Sequence, residues 1–175
     1  ASHDSGTLND NEMMYLAAAI EKARTKNKSE LKLLSIPCNY FCSEGASEGL
    51  AELLRVISTD KALLALILNT NFIGPAGATM LADMVRKDSS LRKLNVADNE
   101  LAGLYFETED GAEGYHSWRQ GSDSRIAPVC DLVAGLRWNH TLVHLDISDN
   151  GLGATVFKVL AKAIAKHPSL KYLNV

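Results

Sequence analysis

Three side chains in this sequence hold the inventory of a nucleophilic hydrolase: His144, Asp146 and Ser148. The chemistry needs a hydroxyl in hydrogen-bond reach of an imidazole that a carboxylate orients. These residues stand two apart on what reads as one strand, a spacing of about 7 Å, and no nucleophile elbow or oxyanion loop accompanies them. The other histidines, His3, His116, His140 and His167, are scattered among expected loops and helix ends. Cys38 and Cys42 are four apart and Cys130 is remote, so there is neither a C-x-x-C pair nor a Cys/His cluster with zinc spacing. Glu107, Glu109 and Asp110 offer carboxylates to a calcium ion, but Gly111 is misplaced for an EF-hand loop and no spaced acidic ladder follows. No phosphate-cradling glycine motif is present. The residues therefore predict no catalytic group, no cofactor and no metal, and the chain is not expected to be an enzyme.

The elements that carry these residues are set by a repeat. Four segments share the frame L-x-x-L-x-(apolar)-x-x-N-x-(apolar). They run through Leu31, Leu34, Ile36, Asn39 and Phe41; Leu63, Leu66, Leu68, Asn71 and Ile73; Leu91, Leu94, Val96, Asn99 and Leu101; and Leu142, Leu145, Ile147, Asn150 and Leu152. A fifth begins with Leu170, Leu173 and Val175. The asparagines lie 32, 28 and 51 residues apart, which gives a unit of 28 with one copy longer by 4 and another by 23. Alternating apolar residues in each frame read as a short strand. Apolar residues at helical spacing follow: Leu50, Leu53, Leu54, Ile57; Ala78, Leu81, Ala82, Val85; Val129, Leu132, Val133, Leu136; and Phe157, Leu160, Ala161, Ile164.

One strand and one helix cannot cover their own apolar faces, so the units must stack. The expected fold is an α/β solenoid, a curved arc with parallel strands on the concave side and helices on the convex side. Each asparagine is expected to bond main-chain groups of neighbouring turns, whose burial without a partner costs about 1–3 kcal/mol each. Asn39, Asn71, Asn99 and Asn150 thus read as structural. The frame resembles the leucine-rich repeat family, in its ribonuclease-inhibitor-like subtype with 28-residue units. The run Asn71-Phe72-Ile73-Gly74-Pro75-Ala76-Gly77-Ala78 before Leu81-Ala82 is especially similar to that subtype, and the whole looks like repeat proteins of protists and algae. The resemblance covers residues 30–175, and the expected function is a non-catalytic protein-binding module or scaffold within a larger assembly. Its alternative implication is a regulator of an enzyme, such as a small-GTPase activator or a hydrolase inhibitor.

Ahead of the array, residues 1–8 read as a flexible lead and 9–30 as an N-terminal capping helix. Asn9 with Glu12 fits a capping box, and Leu16, Ala19, Ile20 and Ala23 form the apolar stripe of a helix over about 10–26. Basic Lys22, Arg24, Lys26 and Lys28 suit the negative end of its dipole. The array spans 31–175. It stops within a strand, so the chain is expected to continue or to have this edge covered by a partner.

Two surfaces are candidates for binding. The first is the insert at about 102–125, which carries a charge of −3, equal to that of the whole chain, and 4 of its 11 aromatics. Tyr105, Phe106, Tyr115, Trp118 and Arg119 are residue types enriched at interface anchors. The insert leaves from the rim where strands end, and it reads either as a binding loop or as a flap packed on that rim. The second surface is the concave face, where the residues between the leucines point outward. Lys93, Asn95, His144, Asp146 and Tyr172 give it a mixed character that suits selective protein contact, or a solvated sheet. Composition bounds the rest. Hydrophobic residues make up 46% and charged residues 22%, globular proportions. A net charge of −3 matches nucleic acid poorly. No apolar run reaches the roughly 18 residues of a membrane span. No signal peptide is visible at Ala1-Ser2-His3, and three scattered cysteines suit reduced thiols in the cytoplasm. The expected partner is another protein.

Overall fold

A computed structural model describes residues 8–26, 30–39, 47–87, 90–103 and 123–175, with 123–125 by backbone alone. The chain alternates helix and strand: α1 (Asp10–Thr25), β1 (Leu33–Ser35), α2 (Glu48–Thr59), β2 (Ala65–Ile67), α3 (Gly74–Arg86), β3 (Lys93–Asn95), α4 (Asp123–Gly135) with a 3-10 turn η1 (Leu136–Trp138), β4 (His144–Asp146), α5 (Ala154–Ile164) and β5 (Tyr172–Asn174). The strands form one parallel sheet in the order β1-β2-β3-β4-β5. Their register follows the frame without a slip, Leu33 to Ala65 to Lys93 to His144 to Tyr172. Each helix packs on the next in chain order.

Period-two alternation sorts each strand. The central leucines Leu34, Leu66, Leu94 and Leu145 are buried, while the residues on either side of each are exposed or half-buried. Helix faces meet them from the other side: Leu50, Leu53, Leu54 and Ile57 on α2; Ala78, Leu81, Ala82 and Val85 on α3; Val129, Leu132, Val133 and Leu136 along α4 and η1. Each fully buried leucine or isoleucine contributes about 1.5–3 kcal/mol. The core is therefore one layer between sheet and helices.

Two expected helix stripes are corrected. In α5 the buried residues are Val156, Leu160 and Ala163, while Phe157 and Ala161 are exposed and Ile164 is half-buried. The helix is apolar on most positions, and its packing on α4 selects a face one residue round from the expected one. In α1 the buried residues are Met13, Ala17 and Ile20; Ala19 is exposed, and Leu16 and Ala23 are half-buried. The Asn9–Glu12 capping box is formed in both directions, with Asn9 Oδ1 accepting from Glu12 N at 3.1 Å and Glu12 Oε2 accepting from Asn9 N at 2.8 Å. Leu8, read as part of the lead, packs on the core instead and donates its N–H to Asn39 Oδ1 at 2.9 Å. Leu31, in the first frame, is exposed and precedes the edge strand β1. Residues 1–7 and Lys28 lie outside the described residues.

The asparagines form a ladder. Asn71 Oδ1 accepts from Asn39 N at 2.8 Å, Asn99 Oδ1 from Asn71 N at 2.9 Å, and Asn150 Oδ1 from Asn99 N at 3.0 Å. Each amide nitrogen donates to carbonyls around it: Asn99 Nδ2 to Leu68 O and Ala97 O, Asn150 Nδ2 to Val96 O, Ile147 O and Ser148 O. The turn that aims the amide inward has left-handed backbone on both sides, at Thr70 and Phe72, at Asp98 and Glu100, and at Asp149 and Gly151. Among the described residues no helix is long and apolar enough to cross a membrane.

Candidate protein-binding face

The sheet's outer face is built by the same alternation that buries the leucines. Lys93, His144 and Tyr172 stand in one row across β3, β4 and β5, and Asn95, Asp146 and Asn174 in the next. The five residues expected on this face are thus brought together on three adjacent strands. His144 and Tyr172 stack with ring centroids 4.2 Å apart and planes 5° from parallel. Tyr172 is 60% exposed. With Lys93, Asp146, Lys171 and Asn174 the pair lines a shallow hollow of about 390 Å³.

Not all of these polar groups are free to bind. Asp146 Oδ1 accepts from Ser148 N at 3.2 Å and from Ser148 Oγ at 2.7 Å, and Asn95 Oδ1 accepts from Ala97 N at 2.9 Å. Both side chains brace the end of their own strand. The remaining display is Lys93, His144 and Tyr172. The same contacts pair Ser148 with Asp146 and not with His144. The Ser148 hydroxyl donates to the Asp146 carboxylate and accepts from Asn174 Nδ2 at 3.3 Å, while the His144 ring stacks on Tyr172. Among the described residues no group of three His, Cys, Asp or Glu is placed to hold a metal ion.

The insert residues Tyr105, Phe106, Tyr115, Trp118 and Arg119 lie outside the described residues. Its two attachment points do not. The chain leaves after Leu101, whose N–H donates to Asn150 Oδ1 at 3.2 Å, and Gly103 with its left-handed φ of 80°, and it re-enters at the start of α4. Both lie on the rim where strands end. Glu100 on that rim has its carboxyl pushed above the ordinary value by burial and by the neighbouring Asp98.

A second set of polar residues, not singled out from the sequence, holds the opposite rim. Asp60 Oδ1 accepts from Leu63 N at 3.0 Å and also from Ala62 N, Asn139 Oδ1 from Thr141 N at 3.1 Å and Leu142 N at 2.8 Å, and His167 Nδ1 from Ser169 N at 3.3 Å and Leu170 N at 3.0 Å. Each stands three residues before the first leucine of its frame. The signal was the spacing: 60, 88, 139 and 167 repeat the intervals of 28, 51 and 28 that follow from the frame, but the residue type changes from aspartate to asparagine to histidine. On the helix layer, Arg55 joins α2 to α1 through Glu21 at 2.9 Å and is held by Glu52 of its own helix at 2.8 Å. Its hydrogen bond holds the Glu52 carboxyl below the ordinary value, and the two carboxylates push the guanidinium up.

Residues 139–155 match the family model described as Leucine Rich repeat. None of the curated proteins matches the chain in sequence. Among solved structures, the tropomodulin C-terminal domain from Caenorhabditis elegans is similar with a TM-score of 0.64 at 16% identity, over 91% of this chain and 81% of that one. The structure described as leiomodin-1 actin-binding site 2 is similar with a TM-score of 0.62 at 13% identity, over 89% of this chain and 76% of the other. The matched segment runs from the Asn139 turn through β4 to the start of α5. Its strand β4 is one of five parallel strands in the same register, and the chain shares the mixed α/β fold of the tropomodulin C-terminal domain.

Proposed function

We propose that this chain is a non-catalytic protein-binding module, a subunit or interaction domain of a larger assembly, that presents the outer sheet face around Lys93, His144 and Tyr172. One observation carries the reading: a 60% exposed tyrosine stacked flat on a histidine, on a sheet face with no element over it among the described residues. A preformed aromatic pair loses little freedom on binding, and tyrosine is over-represented among residues that dominate interface energy. The insert supplies a second contact through Tyr105, Phe106, Tyr115, Trp118 and Arg119. The 28-residue unit with a full helix keeps the ribonuclease-inhibitor-like subtype as the finer placement. An intracellular setting fits Cys38 and Cys130, neither of which is in a disulfide.

Likeness to a domain named for actin binding makes actin the first partner to test. The experiment is a binding titration against monomeric and filamentous actin, then capture from native lysate, each with the intact chain, with Tyr172→Ala and with 104–122 deleted. Tyr172→Ala is expected to lower affinity for the captured partner by at least about tenfold, the scale of an interface anchor, with an unchanged melting temperature. Deletion of the insert is expected to weaken capture without unfolding the stack. A partner retained equally by all three proteins would overturn the reading.

A further inference from the structure

We propose that the rim where the strands begin binds an acidic amphipathic helix of a partner protein. The proposal rests on the outer-face reading above and names the chemistry of what that face takes.

The repeat generates a row of side chains along this rim. The residue after the first leucine of each frame is Lys32, Leu64, Arg92, Val143 and Lys171 in the five coils. The backbone locks these into a rung-by-rung series: Leu64 N donates to Lys32 O, Arg92 N to Leu64 O and Val143 N to Arg92 O, each at 2.8 Å, and Lys171 N to Val143 O at 2.9 Å. Base and apolar group alternate without exception. The adjoining row, Leu33, Ala65, Lys93, His144 and Tyr172, adds a further lysine and further apolar surface. Neither row contains an acidic residue. Lys32, Arg92, Lys93 and Lys171 are exposed, and among the described residues none is in an ion pair. Arg92 spends one N–H on Thr141 O at 3.0 Å, which fixes its fork and leaves the rest of the guanidinium open. Leu33 and Leu64 are 53% and 40% exposed, so the surface is apolar as well as basic.

Pitch then selects the occupant. Neighbouring strands lie about 4.8 Å apart, so the bases Lys32, Arg92 and Lys171, on alternate strands, repeat about every 9.6 Å. Seven residues of α-helix rise about 10.5 Å. A helix laid along the row with a carboxylate every seventh residue and an apolar residue midway meets base, apolar group and base in turn. An extended segment repeats on one face about every 6.7 Å and falls out of step at the second base. A nucleic-acid backbone offers nothing to Leu33, Leu64 and Val143.

The test uses a fluorescein-labelled peptide with Glu at every seventh position and Leu midway, on an otherwise neutral helix-forming background, titrated with the full chain. A peptide of equal composition with the Glu and Leu positions scrambled serves as reference, and vesicles of phosphatidylserine and a duplex oligonucleotide form separate arms. The patterned peptide is expected to bind at least about tenfold more tightly than the scrambled one. Arg92→Glu and Lys171→Glu should each remove most of that advantage, and Lys158→Glu on the exposed side of α5 should not. No binding of the patterned peptide up to about 1 mM overturns the proposal, as does equal binding of the two peptides, insensitivity to the charge reversals, or binding of the vesicles or duplex in their place. Capture of a partner that depends on Tyr172, with no peptide binding, discards the acidic helix alone; loss of both discards the outer-face reading as well.

Discussion

An imidazole at His167 does the work that an amide does at Asn139. Both accept two successive N–H groups at the entry to a strand, and both stand at the same phase of the repeat. The imidazole can do this only when neutral at Nδ1. Burial, aided by the nearby His140, lowers its pKa from the ordinary 6.5. The folded value lies below the unfolded one, so stability from the neutral ring is complete above about 6.5 and is lost as pH falls through the folded value. His167→Asn keeps the acceptor and removes the titration. The variant is expected to match the parent within about 1 kcal/mol at pH 7.5 and to exceed it progressively below pH 6, measured as the difference in urea midpoints. Parallel pH profiles would refute the role given to the ring. None of this was prominent in the sequence, because the position is defined by acceptor geometry that three residue types satisfy.

At the scale of elements, the frame residues were legible because burial on a strand and on a one-sided helix leaves a fixed period. Leu34, Leu66, Leu94 and Leu145, and the faces of α2, α3 and α4, fall where periodicity sets them. The end helices did not. In α5 valine, leucine and alanine offer two overlapping stripes, and only the neighbour decides between Val156 and Phe157. For α1 the stripe follows from α2, its single partner helix among the described residues, rather than from apolarity around its own axis. That pairing is close. Asp10 Oδ1 accepts from Gly49 N at 2.8 Å and from the Ser47 hydroxyl, while Ser47 Oγ caps α2 at Leu50 N at 2.9 Å. A β-carbon on Gly49 would run into the Asp10 carbonyl and into Met13 Cβ at 2.7 Å. Gly49→Ala is therefore expected to cost about 1–3 kcal/mol despite its better helix propensity, read as a lower urea midpoint with an unchanged slope. Stabilisation would show that α1 is free to shift. The outer-face residues were equally legible, since strand alternation settles which side they take, whereas the stacking of His144 on Tyr172 depends on the register between two coils and on rotamers that no period encodes.

For the whole molecule the asparagine ladder is the connection between coils that apolar packing alone would leave sliding. Removal of one member breaks hydrogen bonds in two coils at once. Asn99→Ala strips the acceptor from Asn71 N and Ile73 N in the buried turn layer, and takes one of two donors from Leu68 O and from Ala97 O, which keep Asn71 Nδ2 and Thr70 N. With each of the two unmet buried N–H groups costing about 1–3 kcal/mol, a loss of at least about 2 kcal/mol is expected in urea titration. A loss below about 1 kcal/mol would mean that water or backbone shift replaces the amide. Every rung asks its neighbours for the same things, one oxygen from the side that follows and carbonyls from the side that precedes. A stretch of 28 residues copied or cut out in phase consequently heals with no mismatch, so genes for such chains are free to lengthen or shorten by whole coils. A splice one residue out of phase would swing an amide into solvent and part the pile at that seam.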